Sequence, residues 1–140
     1  MNSVRVLIVD DEEDFATAIA DRLSKRGFRA SAVFSGQEAL HAVKETEYDA
    51  VVLDLKMPEM DGLQTLQEIR KIDPAVQILV LTGHGTVSAG IGGMQLGAAD
   101  FLQKPLAIEA LSASIQAAAE QSRAKRGLKQ SQNEDNAEQL

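Results

Sequence analysis

The sequence predicts an α/β domain in which a five-stranded parallel sheet is doubly wound, with helices on both faces. Three observations predict it. Two nearly uninterrupted apolar runs, VRVLIV (Val4 to Val9) and AVQILVL (Ala75 to Leu81), and a shorter one, AVVL (Ala50 to Leu53), are rich in β-branched residues and show no period-two alternation. Strands of this kind suit a sheet covered on both faces. Segments with apolar residues at helical spacing lie between them, so that the order strand, helix repeats about five times. Right-handed crossovers turn that order into an open parallel sheet with helices on each side.

The elements follow in chain order. After the first strand, EDFATAIADRLSKRG places Phe15, Ala18, Ile19 and Leu23 on one helical face, and Gly27 stands where a left-handed C-terminal residue is wanted. FRASAV (Phe28 to Val33) alternates and reads as a half-buried strand. Ser35 followed by Glu38 forms a capping box ahead of Ala39, Leu40 and Val43, so the second helix begins near Gly36. Met57, Pro58 and Gly62 mark the turn between the third strand and a third helix carrying Leu63, Leu66 and Ile69, which ends before Pro74. TVSAGIGGMQLGA should form a fourth helix, but Gly90, Gly92 and Gly93 each cost about 1 kcal/mol relative to alanine, so that helix should be weak. DFLQ (Asp100 to Gln103) is the fifth strand. Ile108, Leu111, Ile115 and Ala118 mark a last helix running toward Gly127, after which apolar periodicity is lost. Residues 1–122 are therefore expected to form one domain, and 123–140 an extended helix end followed by a disordered polar tail.

Composition narrows the function. At 140 residues, with 44% hydrophobic and 25% charged side chains, the chain has the make-up of one soluble domain. The absence of cysteine removes thiolate catalysis, disulfides and cysteine-based zinc sites, and two histidines make a poor metal cage. A net charge of −7 argues against a nucleic-acid partner. No run approaches the ~18 apolar residues of a membrane span, and no signal-peptide core precedes the first strand, which points to a cytoplasmic protein with no membrane contact.

Chemistry gathers at the strand ends. Asp10 and Asp11 follow the first strand, Asp54 closes the third, Thr82 follows the fourth and Lys104 the fifth. In open parallel sheets the ligand crevice lies beyond the carboxyl ends of the strands, so these five side chains should converge. Three aspartates within ~5 Å of one another would repel by about 3 kcal/mol per pair at an effective dielectric of ~20. A divalent cation would relieve that repulsion, and oxygen-only ligands favour a hard ion such as Mg²⁺, or Mn²⁺ in its place. Lys104 offers a point charge, and Thr82 a hydroxyl, to the oxygens of a phosphoryl group. The set allows phosphoryl transfer to a carboxylate, with Asp54 as nucleophile because it leaves the middle of the sheet alone.

The motifs LIVDDEEDF, VVLDLKMPEMDG, LVLTGHG and DFLQKP, in this order, resemble the receiver domain of two-component response regulators over roughly residues 3 to 122. The wording TGHG and DFLQKP is most similar to receivers of nitrogen-regulator or transport-regulator type. The resemblance implies a flavodoxin-like fold with strand order 2-1-3-4-5 and a signalling switch that takes a phosphoryl group from a histidine kinase or histidine phosphotransfer protein. It implies that Asp54 is the phosphoacceptor, that Asp10, Asp11, Asp54 and the backbone carbonyl of Lys56 hold Mg²⁺, and that Thr82 and Lys104 bind the phosphoryl oxygens. It further implies that Thr82 and Phe101 act together as the switch, that Lys56 and His84 tune hydrolysis of the acyl phosphate, and that the Lys104–Pro105 peptide is cis. Phosphorylation should then alter the face formed by the fourth helix and fifth strand, ordering residues 86–97 and regulating an unknown protein target or a homodimer. No effector domain is visible in the sequence, so output is expected from the receiver surface itself.

Such a protein is a regulatory phosphoacceptor rather than an enzyme acting on other molecules. A phosphatase of the haloacid-dehalogenase class would want a second aspartate two residues after the nucleophile, where Lys56 stands. A pseudo-receiver would not need the Asp54, Thr82 and Lys104 set. Taken singly, the residues read more plainly: an Asp-Asp pair as a helix cap, Thr82 as a turn residue, Phe101 as a core aromatic, His41 as a solvated helix residue. The basic run Arg123, Lys125, Arg126 and Lys129 reads as a solvated helix end that complements the helix macrodipole.

Overall fold

A computed structural model describes residues 3–55, 62–83 and 94–138, with only the backbone of 128–138. Its elements are β1 (Arg5–Val9), α1 (Glu13–Lys25), β2 (Arg29–Val33), α2 (Gly36–Glu45), β3 (Ala50–Asp54), α3 (Gly62–Ile72), β4 (Gln77–Thr82), β5 (Asp100–Gln103) and α4 (Ile108–Glu138). All strand pairs are parallel, in the order β2-β1-β3-β4-β5, as the sequence predicts.

The uninterrupted apolar runs are explained by two separate cores. Val6, Ile8, Val52, Leu79 and Leu81 pack with Ile19 and Leu23 of α1 and with Leu111, Ile115 and Ala118 of α4. The alternate residues Leu7, Val9, Val51, Leu53, Ile78 and Val80 pack on the other face with Ala39 and Val43 of α2 and with Leu66 and Ile69 of α3. Every residue of β3 and β4 is buried, whereas the edge strands β2 and β5 are part-exposed. Each fully buried Leu, Ile or Val side chain contributes about 1.5–3 kcal/mol relative to exposure, so these central strands dominate the stability of the fold.

Helix termini follow the local sequence. Ser35 Oγ accepts from the Glu38 N–H (3.1 Å), and Glu38 Oε2 accepts from the Phe34 N–H (3.0 Å), one residue earlier than in the simple capping box. At the end of α1 the Gly27 N–H donates to the Ser24 carbonyl and the Phe28 N–H to the Leu23 carbonyl, both at 3.1 Å. This Schellman pattern needs a left-handed residue at its turn, and Gly27 supplies it with φ +96°. Gly62 opens α3 against the backbone of Leu55, where any Cβ would collide with the Leu55 Cα and carbonyl. The turn reading of Gly62 thus acquires a steric cause.

Three expectations need correction or lie elsewhere. The buried stripe of α1 is Ala16, Ile19, Ala20 and Leu23, with Ala18 exposed and Phe15 half-buried at its margin. α4 continues as helix to Glu138, past the expected end at Gly127; its last stretch is rich in Gln, Lys, Glu and Ala, residues of good or fair helix propensity. The glycines at 90, 92 and 93 lie outside the described residues, as does most of the expected fourth helix.

The basic run is not simply solvated. Arg126 forms a forked pair with Asp73 (Nη1 to Oδ1 3.0 Å, Nη2 to Oδ2 2.7 Å), donates to the Tyr48 carbonyl (2.9 Å), and has its Nε 3.3 Å from Glu47 Oε1. Arg123 reaches Asp49 at 3.3 Å, and Asp49 in turn accepts from the Arg5 N–H at 2.9 Å. The two arginines therefore fasten α4 to the start of β1 and to the α2–β3 and α3–β4 connections, at the end of the sheet where the strands begin. Planar guanidinium groups suit such forked carboxylate pairing. Burial alone would raise the Asp73 carboxyl, but the hydrogen bond and charge of Arg126, with the Ala75 and Val76 N–H groups, outweigh it and hold the group below the usual aspartate value.

Leu111→Ala, at a wholly buried contact of α4, should destabilise the domain by about 2–5 kcal/mol in denaturant unfolding, whereas exposed Met94→Ala should change it by less than about 0.5 kcal/mol. Arg126→Met should cost about 1–3 kcal/mol at neutral pH. Because the Asp73 pKa is depressed, its contribution is complete above about pH 4 and is lost as pH falls through the lowered value. Asp73→Asn should accordingly lose less stability than wild type on acidification below pH ~4.

Candidate functional site

Parallel pairing aligns the ends of the strands. Val9 is in register with Leu53, Asp54 with Leu81, and Thr82 with Gln103. The next residue along each strand, or its last one, is therefore Asp10, Asp54, Thr82 and Lys104, side by side on the carboxyl edge. Three of the five expected side chains come together: Asp10, Asp11 and Asp54 each offer an oxygen within 4.8 Å of the other two. Asp10 is wholly buried, Asp54 is 4% exposed, and Asp11 faces solvent.

Lys104 holds this cluster together. Its Nζ donates to Asp10 Oδ2 at 3.0 Å, lies 3.5 Å from Glu12 Oε1 and 3.9 Å from Asp54 Oδ2, and its side chain is 20% exposed. The other Asp10 oxygen accepts from the Glu12 N–H at 3.0 Å, just ahead of α1. Asp10 therefore does what the simple reading of an Asp-Asp pair allows, meeting an amide at a helix start, while also pairing across the sheet. Burial alone would push the Lys104 ammonium down, but the hydrogen bond and charge of Asp10 and the charges of Asp54 and Glu12 together hold its pKa above the usual lysine value.

Thr82 is buried at the end of β4, and its hydroxyl makes a long 3.4 Å hydrogen bond to the Leu102 carbonyl. Its own carbonyl accepts from the Lys104 N–H at 2.9 Å. Phe101, in register with Val80, is half-buried against the core on the α2 and α3 side. The Lys104–Pro105 peptide is cis, as expected. His41 is exposed and pairs with Glu45 at 3.2 Å, far from this chemistry. Lys56 and His84 lie outside the described residues.

Two neighbours of the site escaped the sequence reading. Glu12 contributes a third carboxylate to Lys104, and the Phe15 ring centroid lies 4.4 Å from the Lys104 ammonium. The available signal was their position, in the loop and first turn that follow Asp10 and Asp11, which must stand close to whatever those aspartates face.

A model of the response regulator receiver domain matches residues 6–116. The chain belongs to the response regulator receiver family. As a receiver it is 34% identical over 117 residues to the transcriptional regulatory protein ZraR of Escherichia coli strain K12, covering 84% of this chain and 26% of that one. A response regulator receiver domain protein from Clostridium thermocellum superposes with a TM-score of 0.82 at 32% identity, over 86% of this chain and 98% of the other. NtrX from Brucella abortus gives a TM-score of 0.85 at 31% identity, over 91% of this receiver and 30% of its own chain. The receiver spans about a quarter of the length of ZraR. Among its described residues no helix is long and apolar enough to cross a membrane.

The donor set fits a hard divalent cation: three carboxylates, one of them solvent-facing, with neither sulfur nor imidazole among them. Because the Lys104 pKa is raised, the lysine's side of this pairing is fully charged below the ordinary lysine value of about 10.4, and its stabilisation is lost as pH climbs through the raised one. Lys104→Met should cost about 1–3 kcal/mol at pH 7 in denaturant unfolding, since it strips buried Asp10 of its counter-charge. Above pH ~10 the variant should lose stability less steeply than wild type.

Proposed function

We propose that this receiver is a phosphoacceptor switch in which Asp54 takes the phosphoryl group from a phosphohistidine on a histidine kinase or histidine phosphotransfer protein. The observation that carries the reading is the Lys104 ammonium set between Asp10 and Asp54, 3.0 and 3.9 Å away, in a cluster of three carboxylates at the ends of buried strands. Such a pocket is built to receive charge of both signs: a cation among the carboxylates and phosphoryl oxygens at the lysine.

Asp10 is committed to the start of α1 and to the ammonium, one of its oxygens accepting from the Glu12 N–H and the other from Lys104. Asp54 ends the central strand and stands farther from the ammonium. Its oxygen forms the new O–P bond as the donor's N–P bond breaks; the electron pair of that bond stays on the imidazole nitrogen, which takes up a proton. Lys104 leaves Asp10 for a phosphoryl oxygen, and the Thr82 hydroxyl, held by a long bond to Leu102, turns to donate to another. Asp10, Asp11 and Asp54, with the Lys56 carbonyl, would hold Mg²⁺ or Mn²⁺, which supplies neutralisation of the charge on the transferring group.

The output reading couples Thr82 to Phe101. Withdrawal of the Thr82 hydroxyl from the Leu102 carbonyl loosens β5 beside Phe101, which is only half-buried. The face next to the edge strand β5 then changes for a partner protein or a second copy. Lys56 and His84 are assigned to the rate of acyl-phosphate hydrolysis. A cytoplasmic location, where phosphohistidine donors are made, fits this role. The only chemistry assigned is the protein's own phosphorylation and dephosphorylation.

Labelling with a small phosphodonor tests the assignment. Wild type should take up about one stable, Mg²⁺-dependent, hydroxylamine-sensitive phosphoryl group per chain; Asp54→Asn should take up none, and Asp10→Asn should label at least roughly tenfold more slowly. Label persisting in Asp54→Asn, or rapid multiple turnover with no stable label, would overturn it.

A further inference from the structure

The Lys104 ammonium has a fourth neighbour that carries no charge. The Phe15 ring presents its face to Nζ at 4.4 Å from the centroid, within the range of a cation–π contact. From this geometry we infer that Phe15 is a positioning residue for Lys104, holding the ammonium over the pocket while it passes from Asp10 to a phosphoryl group on Asp54. The inference rests on the function proposed above.

The carboxylates cannot do this alone. Asp10 and Asp54 are buried and draw the ammonium inward, but Glu12, at 3.5 Å, has a side chain 66% exposed and draws it toward water. A long, flexible lysine stem between such poles would settle on whichever carboxylate is least neutralised, and once a cation occupies the aspartates that carboxylate is Glu12. A ring face behaves differently. Its attraction is spread over the π-surface and forms no directed hydrogen bond, so an ammonium can slide across it without losing a partner. It also keeps water from one side of the charge, which strengthens the remaining contacts.

Phe15 is suited to this by its place in the chain. It stands in the first turn of α1, half-buried against the core shared by α1 and α4, so its ring is anchored by packing. The stripe of α1 that fills the core is complete without it, in Ala16, Ile19, Ala20 and Leu23. The aromatic ring at the margin of that stripe faces the ammonium.

The test compares Phe15→Leu, which keeps apolar bulk but loses the ring, with Phe15→Tyr, which keeps it; Phe15→Met replaces Leu should that variant not fold. Two readouts are taken. In denaturant unfolding, Phe15→Leu should shift the midpoint more in wild type than in a Lys104→Met background, a coupling that is measured without any phosphorylation. In phosphodonor labelling, Phe15→Leu should lower the maximal rate by about three- to tenfold, leave the half-saturating Mg²⁺ concentration unchanged, and be rescued by Phe15→Tyr. Equal midpoint shifts in the two backgrounds, labelling of Phe15→Leu at the wild-type rate, or failure of Tyr to rescue would each overturn the inference. A loss shared between rate and Mg²⁺ dependence would overturn it too, marking general disruption of the pocket. Absence of label in wild type itself would overturn the proposed function, and is told apart because it appears before any Phe15 variant is compared.

Discussion

Burial of β1, β3 and β4 on both faces leaves no room for polar side chains along their lengths, so polar chemistry is confined to the strand ends. That confinement places Asp10 and Asp54 next to one another in a setting where like charges repel strongly. Lys104 is the compensation, and its reach is fixed by β5 being the neighbour of β4 and by the turn that follows Gln103. Remove the double burial and the site loses its alignment; remove the lysine and the buried Asp10 carboxylate loses its counter-charge. The pocket is thus a consequence of the core rather than an addition to it.

The other end of the sheet is handled by different chemistry. There the forked Arg126–Asp73 pair and the Arg123–Asp49 contact close two connections, and Arg126 also meets the Tyr48 carbonyl. Guanidinium groups are permanent charges with fixed geometry, suited to holding loops in place, whereas a lysine ammonium on a flexible stem suits an acceptor that changes. One end of the molecule is built for constancy and the other, in the function proposed, for exchange of partners.

Much of this was legible in the sequence. The uninterrupted runs announced double burial because each residue of the pair facing opposite cores had to be apolar; the ends of those runs named Asp10, Asp54 and Thr82, and the end of the short fifth strand named Lys104. What the sequence hid depends on side-chain reach across large separations. The Arg126–Asp73 pair spans 53 positions and the Arg123–Asp49 contact 74, with no periodicity to mark either. The Phe15–Lys104 contact was hidden for a related reason: an aromatic at the edge of an apolar stripe looks like core until its neighbour is seen. The stripe itself was misplaced at Ala18, because counting Phe15 as fully inward rotates the helix away from Ala16 and Ala20.

The hydrogen bond from the Lys104 N–H to the Thr82 carbonyl has a mechanical meaning. Both residues assigned to phosphoryl oxygens hang from adjacent rungs of one β-ladder, so the distance between their backbones is set by the pitch of the sheet. Side-chain substitution at either position changes what is presented but not the span across which it is presented. In the function proposed, the pair would work like the fixed jaws of a gauge, with only the tips free to move, and the width of the anion between them would be written in the backbone.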